Sequence, residues 1–571
     1  MIKTSFAGEL LVRHSRSELH LADLTDFRFA AEAKKYSLTP LFQQDSANIV
    51  ERSMPLAWTG NFENGWAVAA PQSESVLEGN PWDQAHRYVD EQTGVAERFS
   101  VGGGGYAEPN FNHELPKPAE SINTDVDYDP DWPIPARMAF HLEDGFTQLS
   151  AAGALCNGGK GVRIVILDTG FDPLHLAQPR NLRAELGRDF FISKVGKQGA
   201  VDPCEGGFLL FPGHGHATLA LLAGGAVDVN YSGTLANPPK FSGDMGGAPE
   251  AEIIPVRITN SVINLYTNAM ASGIDYAATL PGGAADVVSI SQGGLPSRAW
   301  AKAVNDAYDR GVVLVAASGN CYSGLPTRGV VYPARFRRVL TACGVTANGG
   351  GYRHDKFIMQ GNYGPASVMN HALAAYTPNI MWAKGQQPAM PAPHAKFQLN
   401  GAGTSSSTPQ IAAAAALWIA KHREKVTGDG QLPWRKVEAA RAALLESAKF
   451  DERHAEYFGR GMLRARDAVD EARAVEIASR DLSPAPEDDV SFPFFRVLFG
   501  LPEPGQQSAR QRMFETEATQ LAMRGDSDVL ADALSTGNGD PAARVNSGDV
   551  TKALRESPHA STRLKDFVAK N

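Results

Sequence analysis

Three short segments put a carboxylate, an imidazole and a hydroxyl at the ends of apolar stretches. In ILDTG, Asp168 closes an apolar run; in PGHGHATLALLAGG, His214 stands between two glycines and opens an apolar helix. In NGAGTSSSTPQIAAAAALWIA, Ser405 sits where a Gly-rich turn enters an Ala-rich helix, whose first N–H groups have no partner inside the helix. Singly, each has a plain structural reading: a strand-end Asp caps a helix or holds a metal, a lone His packs, and Ser407 or Thr408 caps. Together they supply an orienting acid, a general base and a nucleophile. A serine hydroxyl is a weak nucleophile at neutral pH, so His214 Nε2 must take its proton while Asp168 holds the other ring nitrogen. A fourth segment, VAASGN, ends a strand in a Gly-Asn turn. The Asn320 side chain there could donate to an oxyanion, a contribution of about 3–4 kcal/mol in a transition state.

These groups need a rigid frame, and the sequence supplies one. VRIVILD, AEIIPVRI, DVVSIS, GVVLVAAS and RVLTACGV are continuous apolar runs, the pattern of strands buried on both faces of a parallel sheet. ATLALLAG, YTNAMASGIDYAATL and SRAWAKAVNDAYDR alternate with them as helices. The expectation is an α/β, doubly wound domain over about 150–475 with its site at the strands' carboxyl ends. Before it, residues 1–60 show no strong period. Over 61–111 a strand at GWAVAA, a helix opened by Asn80-Pro81 and a strand ending in YAEPNF read as a small α+β unit within a domain 1–111. A connector over 112–149, rich in Pro and Asp, follows; no EF-hand offsets accompany its alternating Asp residues. After 475 the composition shifts to a mainly helical extension, 476–571, with an apolar run at FFRVLFG and helices in SARQRMFETEATQLAMRG and DVTKALRE.

The 571 residues are 43% hydrophobic and 20% charged, with net charge −9, which excludes wholesale disorder and argues against nucleic acid as a partner. No run of about 18 apolar residues is present, so no membrane-spanning helix is expected. Four cysteines without a CxxC, and a start without a secretory h-region, point to free thiols in a cytoplasmic protein with no structural zinc.

The order Asp168–His214–Asn320–Ser405, set in DTG, GHGxAT, AASGN and GTSSSTP, resembles the subtilases, the subtilisin-like serine peptidases. GAPEAEIIPVRI, DVVSISQGG, GNYGP and FGRGMLRARDAV extend the resemblance over about 150–475. It implies the subtilisin-like fold and serine endopeptidase activity on a protein or peptide substrate, without cofactor or assignable metal. It also implies a substrate-binding edge at SISQGG, with Ser289, Ser291, Gly293 and Gly294 as substrate-binding residues, and Ala317 and Gly319 beside the oxyanion turn. The 61–111 unit resembles a subtilase propeptide, which implies a zymogen whose last strand, ending near Phe111, runs beside Ser289–Gly294 and blocks the cleft. Release would follow a cut in the connector or the action of an activating partner protein. Two features depart from the family pattern: His216 replaces a small hydroxyl residue, read either as perturbing the base or as a tolerated surface histidine, and Cys321 follows the oxyanion Asn. Other readings of the same residues are an idle peptide-binding scaffold and a peptide-ligating transpeptidase.

Overall fold

The computed structural model describes residues 3–13, 36–42, 66–71, 79–98, 105–114, 145, 147–205, 211–230, 240–262, 264–322, 329–347, 349–353, 359–385, 393–428, 430–536 and 545–571. Most of the Pro/Asp connector, with its alternating Asp residues, lies outside them. The centre is a nine-stranded sheet in the spatial order Ala372–Tyr376, Val339–Val345, Val313–Ala317, Val287–Ile290, Arg163–Asp168, Glu252–Arg257, Arg188–Asp189 and Lys197–Gln198, with Asn181–Leu182 also on Glu252–Arg257. All neighbours run parallel except the last pair. The two-residue side-chain period divides each strand between two cores. Ile164, Ile166, Val287, Val313 and Val315 face the helix Thr404–His422, whereas Val165, Leu167, Val288 and Leu314 face the helices Thr267–Ala278 and Arg298–Asp309. Thr404–His422 is apolar on all sides and buried from Thr404 to Ile419. The sheet therefore fixes Asp168 at one strand end and Ser405 at the head of a helix that cannot move without opening the core.

The N-terminal sheet is larger than the sequence pattern indicates. Trp66–Pro71 and Tyr106–Glu114 flank Lys3–Arg13, and Tyr36–Pro40 forms the edge, so residues before 61 supply two of its strands. The helix Pro81–Arg98 opens at Asn80, whose Oδ1 accepts from Trp82 N at 2.9 Å. Tyr106–Glu114 also pairs antiparallel with Asn264–Tyr266 of the catalytic domain, in the register Leu265↔His113. This corrects the expected pairing with Ser289–Gly294. The hairpin Thr259–Ser261/Asn264–Tyr266 offers the open edge, while Gly294 already exchanges N–H and C=O with Tyr332.

The C-terminal extension is helical: Pro493–Leu498, Ala509–Met523, Asp528–Thr536, Ser547–Glu556 and Thr562–Lys570 surround Phe492, Phe495, Phe514, Leu530, Leu554 and Leu564. The FFRVLFG run is the first of these helices, with Pro493 in its first turn. No described helix is long and apolar enough to cross a membrane.

Candidate active site

Asp168 is the last residue of its strand and His214 the first of the helix His214–Ala223. The two elements touch through glycines. A Cβ on Gly215 would lie 2.2 Å from the Gly170 carbonyl oxygen, so only glycine lets the helix start abut the strand end. Thr169 Oγ1 accepts from Gly215 N at 2.9 Å and donates to Asp202 at 2.5 Å, and Asp202 also accepts from Gly213 N. This network fixes the direction of the His214 ring. His214 Nδ1 stands 2.7 Å from Asp168 Oδ1. The same oxygen accepts from Thr169 N at 2.7 Å, and Thr218 Oγ1 donates to Asp168 Oδ2 at 3.0 Å. An acceptor-only carboxylate opposite Nδ1 makes that nitrogen the N–H and leaves Nε2 as the base.

Ser405 lies one residue into its helix, after Gly403 at φ 82°. Its hydroxyl donates to the Ser291 carbonyl at 3.3 Å, and Ser291 Oγ returns a bond to the Ser405 carbonyl at 3.1 Å. The nucleophile candidate is thus tied to the SISQGG segment. Asn320 stands on the other side of the turn. Its Oδ1 accepts from Thr404 N at 2.9 Å and Thr404 Oγ1 at 3.1 Å, which sets the carboxamide with Nδ2 beside Gly403. Asp168, His214 and Ser405 are 1%, 6% and 7% exposed, so each is shielded from bulk water. Among the described residues no cluster of His, Cys, Asp or Glu could hold a metal ion.

The Subtilase family profile (Peptidase_S8) matches residues 159–461. The chain belongs to the subtilase family. It is 28% identical to subtilisin DY of Bacillus licheniformis over 46% of this chain and 78% of that protein. It is also 28% identical to subtilisin Savinase of Lederbergia lenta over 48% and 82%. To the alkaline protease of Alkalihalobacillus alcalophilus it is 27% identical over 49% of this chain and 60% of that protein. Family and relatives make it a serine endopeptidase.

In this subtilase the expected substrate-binding residues separate. Ser291 and Gly293 lie past the last paired residue of their strand. Ser289 does not: it pairs with Ile166 and Val315 on either side and is fully buried, because the sheet continues to Ile290. Ala317 pairs with Ala342. The Gly319 carbonyl accepts from Asn362 N and Thr404 Oγ1. Gly294 is closed off by Tyr332 and by His113, whose ring would lie 2.7 Å from a Cβ there. His216 is not a surface residue. Two positions along a helix turn a side chain about 200° away, so it points opposite His214 and is fully buried. Its ring lies tilted against His175 at 4.6 Å, which meets His394 at 4.9 Å, and Asp172 holds His394 at 2.8 Å. Burial holds His216 well down and His175 at about 4, so both are neutral at physiological pH. Thr218, Gln292 and Trp382 were not foreseen. Thr218 is four residues after His214, on the same helix face, a spacing visible in the sequence. Gln292 Nε2 approaches Asp168 Oδ1 at 3.5 Å.

Proposed function

We propose that this subtilase hydrolyses peptide bonds through an acyl-enzyme on Ser405, with an extended substrate lying along Ser291–Gly293. His214 Nε2 takes the Ser405 proton as Oγ bonds to the scissile carbonyl carbon. Asp168 stabilises the imidazolium that forms. The carbonyl oxygen, now an anion, receives the Asn320 N–H₂. His214 then gives its proton to the leaving nitrogen as the C–N bond breaks. Water repeats the sequence against the ester and releases the acid. The observation that carries this reading is the 2.7 Å contact of His214 Nδ1 with Asp168 Oδ1. A fluorophosphonate probe should label Ser405 in the wild type and leave Ser405→Ala unlabelled and without hydrolysis. An unlabelled wild type would favour the idle-scaffold reading.

The N-terminal domain is proposed to restrain the site. Its strand Tyr106–Glu114 extends a catalytic-domain hairpin, and the His113 ring lies over Gly294, accepting from Leu295 N at 3.2 Å. The His113 side chain therefore sits at the border of the substrate segment. An activating partner would act by displacing this strand. Peptidase activity of uncut protein, of protein cut within 115–144, and of cut protein stripped of its N-terminal fragment tests this. Full activity of uncut protein would overturn it. A cytoplasmic location is part of the same proposal and is supported by four buried cysteines that form no disulfide; cell fractionation tests it.

A further inference from the structure

The N-terminal domain touches more than the catalytic domain. It serves three helix starts that belong to other parts of the chain. Glu108 accepts from Ser297 Oγ at 2.5 Å, Arg298 N at 3.1 Å and Ala299 N at 3.3 Å, capping Arg298–Asp309. Asn110 Oδ1 accepts from Asn268 N at 3.1 Å, in the first turn of Thr267–Ala278. Those two caps face the catalytic domain. The third faces the C-terminal helices. Asp83 accepts from Thr562 N at 2.9 Å and Arg563 N at 3.2 Å, the opening N–H groups of Thr562–Lys570. Such caps answer donors that the helix itself cannot satisfy.

Around Asp83 the second interface is continuous. Arg563 Nη2 donates to Asp90 at 2.7 Å, and Arg510 pairs with the same carboxylate. Asn80 Nδ2 donates to the His559 carbonyl at 3.0 Å. The buried Trp82 indole donates to Gln520 Oε1 at 2.9 Å, while Gln520 Nε2 donates to the Pro296 carbonyl of the catalytic domain at 2.8 Å. Gln520 thus joins the two domains through one side chain. The helical extension is itself anchored to the catalytic domain. Asp488 accepts from Arg337 N at 2.8 Å and Arg338 N at 2.9 Å, and Arg298 donates to Asp489 at 2.6 Å.

We propose that the helical segment 485–571 is a retention surface whose partner is the N-terminal domain, so that this domain remains bound to the enzyme after the chain between 114 and 145 is cut. A domain held by one interface leaves when its own affinity allows. A domain held by two surfaces, themselves joined, leaves only when both open together. The cut therefore does not by itself release the domain. The inference concerns binding and does not depend on the peptidase reading.

The test uses full-length Ser405→Ala, which cannot process itself, with a site for an exogenous sequence-specific protease placed within 115–144. After the cut, the N-terminal fragment is expected to co-elute with the remainder on size exclusion at micromolar concentration. Asp83→Ala combined with Asp90→Ala removes hydrogen bonds that, among the described residues, go to the helical segment, and should speed fragment release at least tenfold. Trp82→Phe keeps an aromatic side chain but deletes the indole N–H together with the five-membered ring, and should speed release by a smaller factor. If the parent fragment separates on the column, or leaves both variants no faster than the parent, the proposal is wrong.

Discussion

The Trp382 indole meets the His214 imidazole edge-on, with ring centroids 5.5 Å apart at 61°. Trp382 lies on the strand Ile380–Ala383, paired with Phe397–Gly401, which leads into Ser405. Two glycines make the contact. A Cβ on Gly401 would sit 2.7 Å from the indole Cε3, and one on Gly213 would sit 2.5 Å from the Gly385 Cα. The hairpin is thereby pressed against the start of the His214 helix. An aromatic contact of this kind is worth about 0.5–1.5 kcal/mol beyond its buried area. Trp382→Ala should lower kcat/KM by about tenfold, mainly in kcat, and Trp382→Phe should restore most of it. Fluorophosphonate titration reports the fraction of competent sites. A fall in that fraction matching the fall in rate would assign the effect to folding.

Ser405→Ala and His214→Ala should each abolish turnover, and the double variant should be no worse, because the two groups act as a unit. Asp168→Asn should fold and lose most of kcat by presenting the wrong donor to Nδ1. Thr218→Val, which deletes the 3.0 Å bond to Asp168, should cost about tenfold in kcat with KM unchanged, the scale of one hydrogen bond to a charged group. Steady-state kinetics on one quenched peptide checks all five variants.

Asn320→Ala should lower kcat by about 10²–10³-fold with little change in KM, the scale that loss of one oxyanion donor carries in subtilisin. Asn320→Asp keeps an acceptor for Thr404 N but sets an oxygen against the developing anion, and should be at least as severe. An effect confined to KM would remove Asn320 from the oxyanion role.

His113 makes attachment of the N-terminal domain sensitive to acid. Its Nδ1 accepts from Leu295 N and its Nε2 lies 2.9 Å from Thr267 Oγ1, which requires the neutral ring. Burial, assisted by the Arg524 cation, holds its pKa at about 3 against the ordinary 6.5. Because the docked value is depressed, the docked state has the full contribution above about pH 6.5. It loses about 1.4 kcal/mol per unit as pH falls toward 3. Glu108 opposes this, since burial raises its pKa and protonation favours the docked form. The wild type against His113→Asn isolates the histidine. Between pH 6.5 and 5, fragment affinity should fall up to tenfold more per unit in the wild type, and equal slopes would exclude His113.

The catalytic frame was legible because its strands are buried on both faces and its reactive residues stand at element ends. Val162–Asp168 in the pattern is Arg163–Asp168 in the structure. Lys3–Arg13 escaped detection for a physical reason: its pairing with Tyr106–Glu114 shifts between Phe6 and Leu10, and that irregularity breaks the alternation that marks a strand. The burial of Ser289 has no mark in the sequence, because a sequence does not show where a sheet stops pairing. Trp382 and Gly401 gave no signal, since their contact depends on a hairpin folding back over His214. Nor did Glu108 and Asp83, whose partners are N–H groups of helices far along the chain.

Asp83 and Thr562 are 479 residues apart in sequence. Contacts this distant form late, because the cost of closing the intervening chain precedes their reward. The helices of the segment 485–571 pack on one another over short stretches of chain, so that packing can precede their grip on the N-terminal domain. The helical segment can wait in solution because it encloses its own core of Phe492, Phe495 and Phe514. The late partner is the face carrying Trp82 and Tyr106, and until it docks, that aromatic face is what a folding chain of this enzyme shows to its surroundings.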